Sequence, residues 1–453
     1  MAAKSWHDSS GGIELARQHG SVCQVIDESI ASVVTPQGIQ YHSLPSTDEG
    51  YRAWLALFGS FLSNALIWGF ALSFGVMQEY YASHEPFASD PGGIAAIGTT
   101  CTGLMYLTMP VYLVAFQRYP RVRQIALYAS LPMVTVALIG ASFAESVPQL
   151  LVTQGILYAV AGNALVMPSI NYINEWFVRK KGLAMGVAIA GDGVGGAIMP
   201  LVLHALLSVV GFRWTLRIVA ATIVLLASPL PFVLRPRLPV SAAQTSPRTD
   251  SSFLRTPLFW VLQTVNTSQA LGYFLPINYL PTIAETLGLS STLGSLTTTL
   301  TNTSMISGCI GVGTLVDRFD VTKVLLSIGA GAAVTVFAII GVTTSVSPLF
   351  VFSIMYGFTA SAYSTSWAGM IRDIQRHHDG ADANLVFGLL AAGRGVGSII
   401  SGPLSEALLK KSKSFSDTAS STYGSEYGSI VIFSGCTAVA GGLSWFVRRA
   451  GLT

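Results

Sequence analysis

An aspartate stands in AGDGVGGAIMP (residues 190–200) and an arginine in AGRGVGSIISGP (residues 392–403), and both runs are otherwise small or apolar. LAMGVAI precedes Asp192 and LVLHALL follows Pro200, so the carboxylate lies inside a stretch that belongs in hydrocarbon. An ionisable side chain there is costly and persists with a partner or a wet cavity, which makes it a functional candidate first. Asp192 is the candidate for proton uptake and release, and Arg394 the candidate counter-charge for an anionic group. The structural alternative for each is a buried pair or polar network. GDGVGG also has the spacing of a phosphate-binding glycine loop, but no strand or βαβ context surrounds it, so that match carries no weight. The flanking glycines read as positions of close helix packing.

The elements that must hold these two charges follow from composition. Of 453 residues, 51% are hydrophobic and 10% charged, against about a quarter charged in soluble proteins. About twelve apolar stretches, each long enough to cross a bilayer, recur between Trp54 and Phe446. The fifth, Leu183 to Val210, carries Asp192, and the eleventh, Leu385 to Leu408, carries Arg394. The expected fold is an all-α membrane protein of twelve transmembrane helices in two six-helix halves. Residues 1–50 read as a disordered cytosolic tail without the basic start and apolar core of a cleaved signal peptide. Residues 51–234 form the first half, 235–256 a Pro-, Ser- and Arg-rich cytosolic linker, 257–448 the second half and 449–453 a cytosolic end. Lys and Arg concentrate on one set of loops, including Arg118, Arg179, Lys180, Lys181, Arg235, Arg318, Arg372 and Arg448. The positive-inside rule therefore puts both termini in the cytosol. The chain closes on RRAGLT without a retention signal, so the plasma membrane is the expected location.

The halves repeat one another. VDRFD, with Asp317 and Arg318, closes the eighth stretch as FQRYP, with Gln117 and Arg118, closes the second, about 200 residues apart. Trp54 with Ala65-Leu66 has a counterpart in Trp260 with Ala270-Leu271. Asp192 and Arg394 fall at equivalent positions of the repeat, and each lies far enough from its flank to sit near the bilayer midplane, where repeat-built transporters bind substrate and ions.

These features resemble the major facilitator superfamily, and within it the monocarboxylate porter family, in its fungal branch. NEWFVRKKGLAMGVAIAG (Asn174 to Gly191) is similar to that family's signature entering helix 5, through Trp176-Phe177, Arg179 to Lys181 and Gly182-Leu183-Ala184. LSFGV, GFRWTLRI and GRGVGSIISGPLS look like further family blocks, so the resemblance covers nearly the whole chain after the tail. It implies a major facilitator fold and a secondary transporter working by alternating access. Animal members carry a lysine before the SFGV block and an acid and an arginine in helix 8. Here Leu72, Met305 and Cys309 stand in those places, so lactate-type symport is not expected.

In folds of this kind helices 1, 4, 7 and 10 line the cavity. They offer Asn64 and Trp68, Tyr158 and Asn163, Gln263, Asn266, Gln269 and Tyr273, and Tyr356, Tyr363 and Trp367 as substrate candidates. Amides, phenols and indoles in an apolar cavity suit a weakly acidic or uncharged molecule with aromatic character, although the same side chains also pack helices. Asp317, with Arg318, is expected to latch the halves by accepting from backbone N–H groups near Gly182, where the helix dipole favours an anion. His204 on helix 5 reads as packing before proton relay.

The reading is a secondary active transporter of a small organic acid or acidic fungal metabolite, coupled to protons. An efflux transporter or uniporter of a neutral metabolite stays open, and so does a non-transporting nutrient sensor. No nucleophile–base pair appears, so an enzyme is not expected. The expected partners are a small-molecule substrate, the lipid bilayer and protons, with the protein a monomer. The four cysteines lack ligand spacing and the net charge is +3, so no cofactor, metal or nucleic acid is expected.

Overall fold

The computed structural model describes residues 45–89, 91–237, 251–341, 345–413, 422 and 427–451. Residues 1–44 of the expected tail, 238–250 of the expected linker and 452–453 lie outside them. Among the described residues every regular element is helical, and Pro45–Thr453 forms one compact unit. Among the described residues nine helices are long and apolar enough to cross a membrane. In chain order these and two further helices are α1 (Tyr51–Ser83), α2 (Gly93–Arg118), α3 (Pro120–Ala141), α4 (Val147–Trp176), α5 and α6 within Lys181–Val233, α7 (Pro257–Thr286), α8 (Ser291–Arg318), α9 (Val321–Ile340), α10 (Val346–His377), α11 (Ala383–Lys411) and α12 (Gly428–Arg449).

The run Lys181–Val233 has 53 residues, at about 1.5 Å each more than twice the hydrocarbon thickness. Gly211 divides it: its φ of 69° and ψ of 174° belong to a region that is essentially glycine's alone. We therefore label 181–210 as α5 and 212–233 as α6. α7 and α8 are not among the nine, for a compositional reason. α7 carries Gln263, Asn266 and Gln269, and α8 carries TTTLTNTS. Thr297, Thr299, Thr301 and Thr303 of α8 bond back to their own helix, Thr301 Oγ1 to the Thr297 carbonyl at 2.9 Å and Thr303 Oγ1 to the Thr299 carbonyl at 2.8 Å. That satisfies them without a neighbour, whereas Thr298 Oγ1 is buried without a partner.

Helix ends are fixed by side chains. Asp320 starts α9 by accepting from Thr322 N at 2.9 Å, and Asp382 starts α11 by accepting from Asn384 N at 2.8 Å. Both act as N-caps for otherwise orphaned donors. Pro120 opens α3 at a position where the missing N–H costs nothing. Three helices are locally rewound: α4 over Leu151–Leu157 and α9 over Thr335–Ile340 as π-turns, and α10 over Ser361–Ser366 as a 3-10 stretch.

The repeat read in the sequence appears as a repeat of packing partners. A methyl added to Gly191 or Gly195 of α5 would strike the α1 backbone at Phe61 or Ala65, while one on Gly186 or Gly193 would strike α8 at Cys309 or Asn302. In α11, Gly393 and Gly397 meet α7 at Gln263 and Ala270, while Gly388 and Gly395 meet α2 at Pro110 and Tyr106. Each glycine in one set has its counterpart in the other at the same distance from the central charge. Ala65 and Ala270, paired in the sequence, are thus the residues met by Gly195 and Gly397.

Alternation of the helices places the starts of α1, α5 and α11 and the ends of α2, α4, α8, α10 and α12 at one end, called here the basic end. One cluster of buried apolar residues runs through the whole first half and continues into the second half, with Leu165, Ile173, Ala184, Leu262, Val316, Ile371 and Leu390 among its members. The far ends of the second-half helices form a separate cluster around Leu280, Ile283, Val336, Leu349, Phe352 and Ile430.

Candidate functional site

Asp192 and Arg394 are left between two rows of glycines, one row facing a helix of the same half and the other a helix of the opposite half. Neither charge can turn toward lipid without breaking those contacts. Arg394 is 2% exposed. Its Nη1 donates to Gln269 Oε1 at 3.1 Å, and its guanidinium lies 4.4 Å from the Tyr273 ring centroid and 5.3 Å from that of Phe274. The Tyr106 hydroxyl also lies against it. A cation held over aromatic faces in a dehydrated site is stabilised without a formal counter-ion. Nε nevertheless has no hydrogen-bond partner.

Asp192 keeps some accessible surface, yet its Oδ1 is buried and has no hydrogen-bond partner. No ion pair within 4.0 Å joins it to Arg394, although the two charges are near enough to act on one another. Tyr106, Tyr273 and Cys309 belong to the same surroundings. Trp68 packs on Tyr106 with ring centroids 4.7 Å apart. On the 3-10 stretch of α10, Ser361 Oγ and Thr365 Oγ1 are buried without hydrogen-bond partners. Aromatic rings and two unpartnered polar atoms, Asp192 Oδ1 on α5 and Arg394 Nε on α11, thus share one buried neighbourhood.

The other cavity candidates divide by where their polar atoms go. Asn163 Nδ2 donates to the Met105 carbonyl at 2.6 Å and to Thr108 Oγ1 at 2.7 Å, tying α4 to α2. Asn266 donates to the Leu390 carbonyl at 2.7 Å and accepts from Trp367 Nε1 at 2.9 Å, joining α7, α10 and α11. Gln263 Nε2 reaches the Leu389 carbonyl at 2.8 Å. The hydroxyls of Tyr158, Tyr356 and Tyr363 donate to the carbonyls of Ile67, Tyr273 and Gly441. Asn64 bonds back to Ser60 O at 2.9 Å. Gln269 and Tyr273 lie against Arg394, Trp68 reaches it through Tyr106, and Tyr356 and Tyr363 lie near enough to act on its charge. Tyr106 was missed, because it occupies the repeat position of the plain Ile306 and α2 was not among the expected lining helices. His204 is exposed on α5.

Asp317 makes the backbone bonds expected of it, and its arginine partner is Arg372 rather than Arg318. Asp317 Oδ1 accepts from Gly182 N at 2.9 Å and Oδ2 from Leu183 N at 2.8 Å. Arg372 Nη2 donates to Oδ1 at 2.6 Å, whereas Arg318 is exposed. A second crossing went unread: Asn174 Nδ2 donates to Asn384 Oδ1 at 2.6 Å, and Asn384 Nδ2 donates to Asn171 Oδ1 at 2.8 Å. Beside it, Asp48 accepts from the backbone N–H groups of Val178, Arg179 and Lys180, with distances down to 2.7 Å. Burial raises the Asp48 carboxyl, but those three donors and the Lys180 charge outweigh it and hold the group below the usual carboxylate range. Among the described residues no cluster of His, Cys, Asp and Glu could hold a metal ion.

The model of the family described as the Major Facilitator Superfamily matches residues 53–402, and matches again over 268–451. The chain is 30% identical over 380 residues to the "Agnestins efflux protein AgnL12" of Paecilomyces divaricatus, covering 83% of this chain and 86% of that protein. It is 29% identical over 391 residues to the "MFS-type transporter pynF" of Aspergillus niger, covering 85% and 89%. With the "Aspyridones efflux protein apdF" of Emericella nidulans it shares 28% over 375 residues, covering 82% and 74%.

Proposed function

The chain belongs to the Major Facilitator Superfamily, and from that premise we propose that this integral membrane transporter exports an acidic secondary metabolite by alternating access, with a proton carried on Asp192 and the anion met by Arg394. The observation behind this reading is the pair of charges at equivalent, glycine-bracketed positions of the two repeats, each with an unpartnered polar atom and no ion pair between them. A carboxylate not locked to its arginine is free to exchange a proton as the cavity opens to either side. Relatives whose printed names are those of efflux proteins for agnestins and aspyridones support the direction and the substrate type.

In this reading the chain crosses the membrane twelve times as two six-helix halves. α5 and α6 cross separately on either side of Gly211, and α7 and α8 cross despite their amides and hydroxyls. The basic end faces the cytosol, the protein acts as a monomer in the plasma membrane, and the helix 5 signature supports a place in the monocarboxylate porter branch. Efflux of an uncharged metabolite is the second reading. It is favoured by the aromatic and amide contacts that already stabilise Arg394.

Purified protein in liposomes with an imposed pH gradient separates the two. Asp192→Asn, which mimics the protonated acid, is expected to keep substrate exchange and lose pH-driven accumulation. Accumulation that survives in Asp192→Asn places the proton path elsewhere.

A further inference from the structure

The unpartnered atoms of the two buried charges have opposite needs. Arg394 Nε is a buried donor without an acceptor, and Asp192 Oδ1 is a buried acceptor without a donor. Buried polar groups are normally paired, so each vacancy specifies what a ligand must supply. Asp192 and Arg394 act on one another's charge but form no ion pair within 4.0 Å, so a ligand placed between them must offer a donor to one and an acceptor to the other. A donor and an acceptor set apart on one rigid frame meet both needs. The walls add a shape requirement: Trp68 on Tyr106 and the Tyr273 and Phe274 rings beside the guanidinium favour a flat, π-rich frame.

We propose that Asp192 and Arg394, walled by Tyr106, Trp68 and Tyr273, form a two-point subsite for a planar vinylogous acid, a conjugated molecule whose acidic O–H and C=O lie two carbons apart. The inference rests on the transport reading above and narrows its substrate class. The ligand O–H donates to Asp192 Oδ1 while its carbonyl accepts from Arg394 Nε. If the proton passes to Asp192, the O–H bond breaks, a carboxyl O–H forms, and the charge left on the ligand is delocalised onto the oxygen facing Arg394. A simple carboxylate leaves the Asp192 acceptor unanswered and brings a like charge toward it, so the subsite disfavours it. A site built to pair a hydroxyl rejects the analogue that lacks one far more strongly than it rejects a change in bulk.

The test is binding to the purified full-length protein in detergent, read by quenching of tryptophan fluorescence or by competition, with 4-hydroxycoumarin, 4-methoxycoumarin and benzoate as probes. 4-Hydroxycoumarin is expected to bind about tenfold or more tightly than the other two. Asp192→Ala should erase the preference for the hydroxyl over the methoxy probe. Arg394→Lys should weaken both coumarins and keep their ratio. Gly402→Ala, on α11 but outside the subsite with nothing within 4 Å of the added methyl, should retain the preference and confirm that a folded site is being read. Equal binding of the hydroxyl and methoxy probes, binding of neither, or a preference that survives Asp192→Ala overturns the inference. pH-driven transport that persists alongside any of these leaves the transport reading standing and removes only the substrate class. Loss of pH dependence with the binding preference intact does the reverse.

Discussion

Asp48 shows how much one carboxylate can organise. It has φ of 61°, a left-handed conformation that aspartate tolerates better than most residues, and its own N–H donates to the Trp176 carbonyl at 2.9 Å. Its side chain then collects three donors from the turn that leads into α5. Removing such a cap costs about 0.5–2 kcal/mol, and Asp48→Ala is expected to lower the melting temperature accordingly. Because the folded pKa lies below the ordinary carboxylate value, this stabilisation is complete above the unfolded pKa of about 3.9 and is lost as pH falls through the folded value. The gap in melting temperature between wild type and Asp48→Asn should therefore close in acid, and a gap constant with pH would mean that the ionised form is not what the turn binds. The cavity candidates teach the complementary lesson. Asn163, Asn266 and Tyr158 read in the sequence as substrate candidates, but residue type does not say which side of a helix they face. In the structure they bond to neighbouring backbones. Asn266→Leu should destabilise by about 1–3 kcal/mol, since it orphans the Trp367 indole N–H and the Leu390 carbonyl, and thermal melts against transport assays would show stability falling more than substrate affinity.

At the scale of elements, α5 and α11 were legible because their sequences repeat, and a repeat carries its packing partners with it. The glycine spacing could say that backbones approach closely, but not which helix each glycine meets. α7 and α8 were expected as crossings from their length, and their polar content keeps them from matching a purely apolar criterion. The rewound stretch of α10 left no mark that was read in advance, although SAYSTS is poor in strong helix formers. Close approach gives a clean comparison between two glycines. A methyl at Gly195 would overlap the Ala65 carbonyl and the Gly69 backbone, which cannot move aside as a side chain would, whereas one at Gly402 meets nothing within 4 Å. Gly195→Ala is expected to cost about 1–3 kcal/mol, while Gly402→Ala should be neutral or stabilise by up to about 1 kcal/mol. Detergent melting curves that rank the two the other way would contradict the α1–α5 packing.

At the scale of the molecule, hydrogen bonds join the two halves at the basic end, and the far ends of the second-half helices keep a core of their own. The Asp317 latch was legible because its aspartate stands in a repeat with a known helix start opposite it. The asparagine bridge was not, because Asn171, Asn174 and Asn384 carry no charge pattern and meet only through the fold. The two latches differ in chemistry, and that decides which should matter more. Asp317 makes charge-assisted bonds to two backbone N–H groups and to Arg372, each worth roughly twice a neutral bond, whereas the asparagines make neutral ones. Asp317→Asn keeps the size but removes the charge, and should shift the equilibrium toward the state open on the basic side by about tenfold, with Asn384→Ala shifting it less. Cys309 provides a native reporter, since its carbonyl lies under Gly186 where α5 and α8 touch and its thiol is buried. With the other cysteines replaced by serine, a membrane-impermeant maleimide applied from the basic side should label Cys309 faster in Asp317→Asn than in wild type, and faster again in the double variant. Labelling unchanged by either substitution would mean that the glycine contacts, not the latches, hold the halves together on that side.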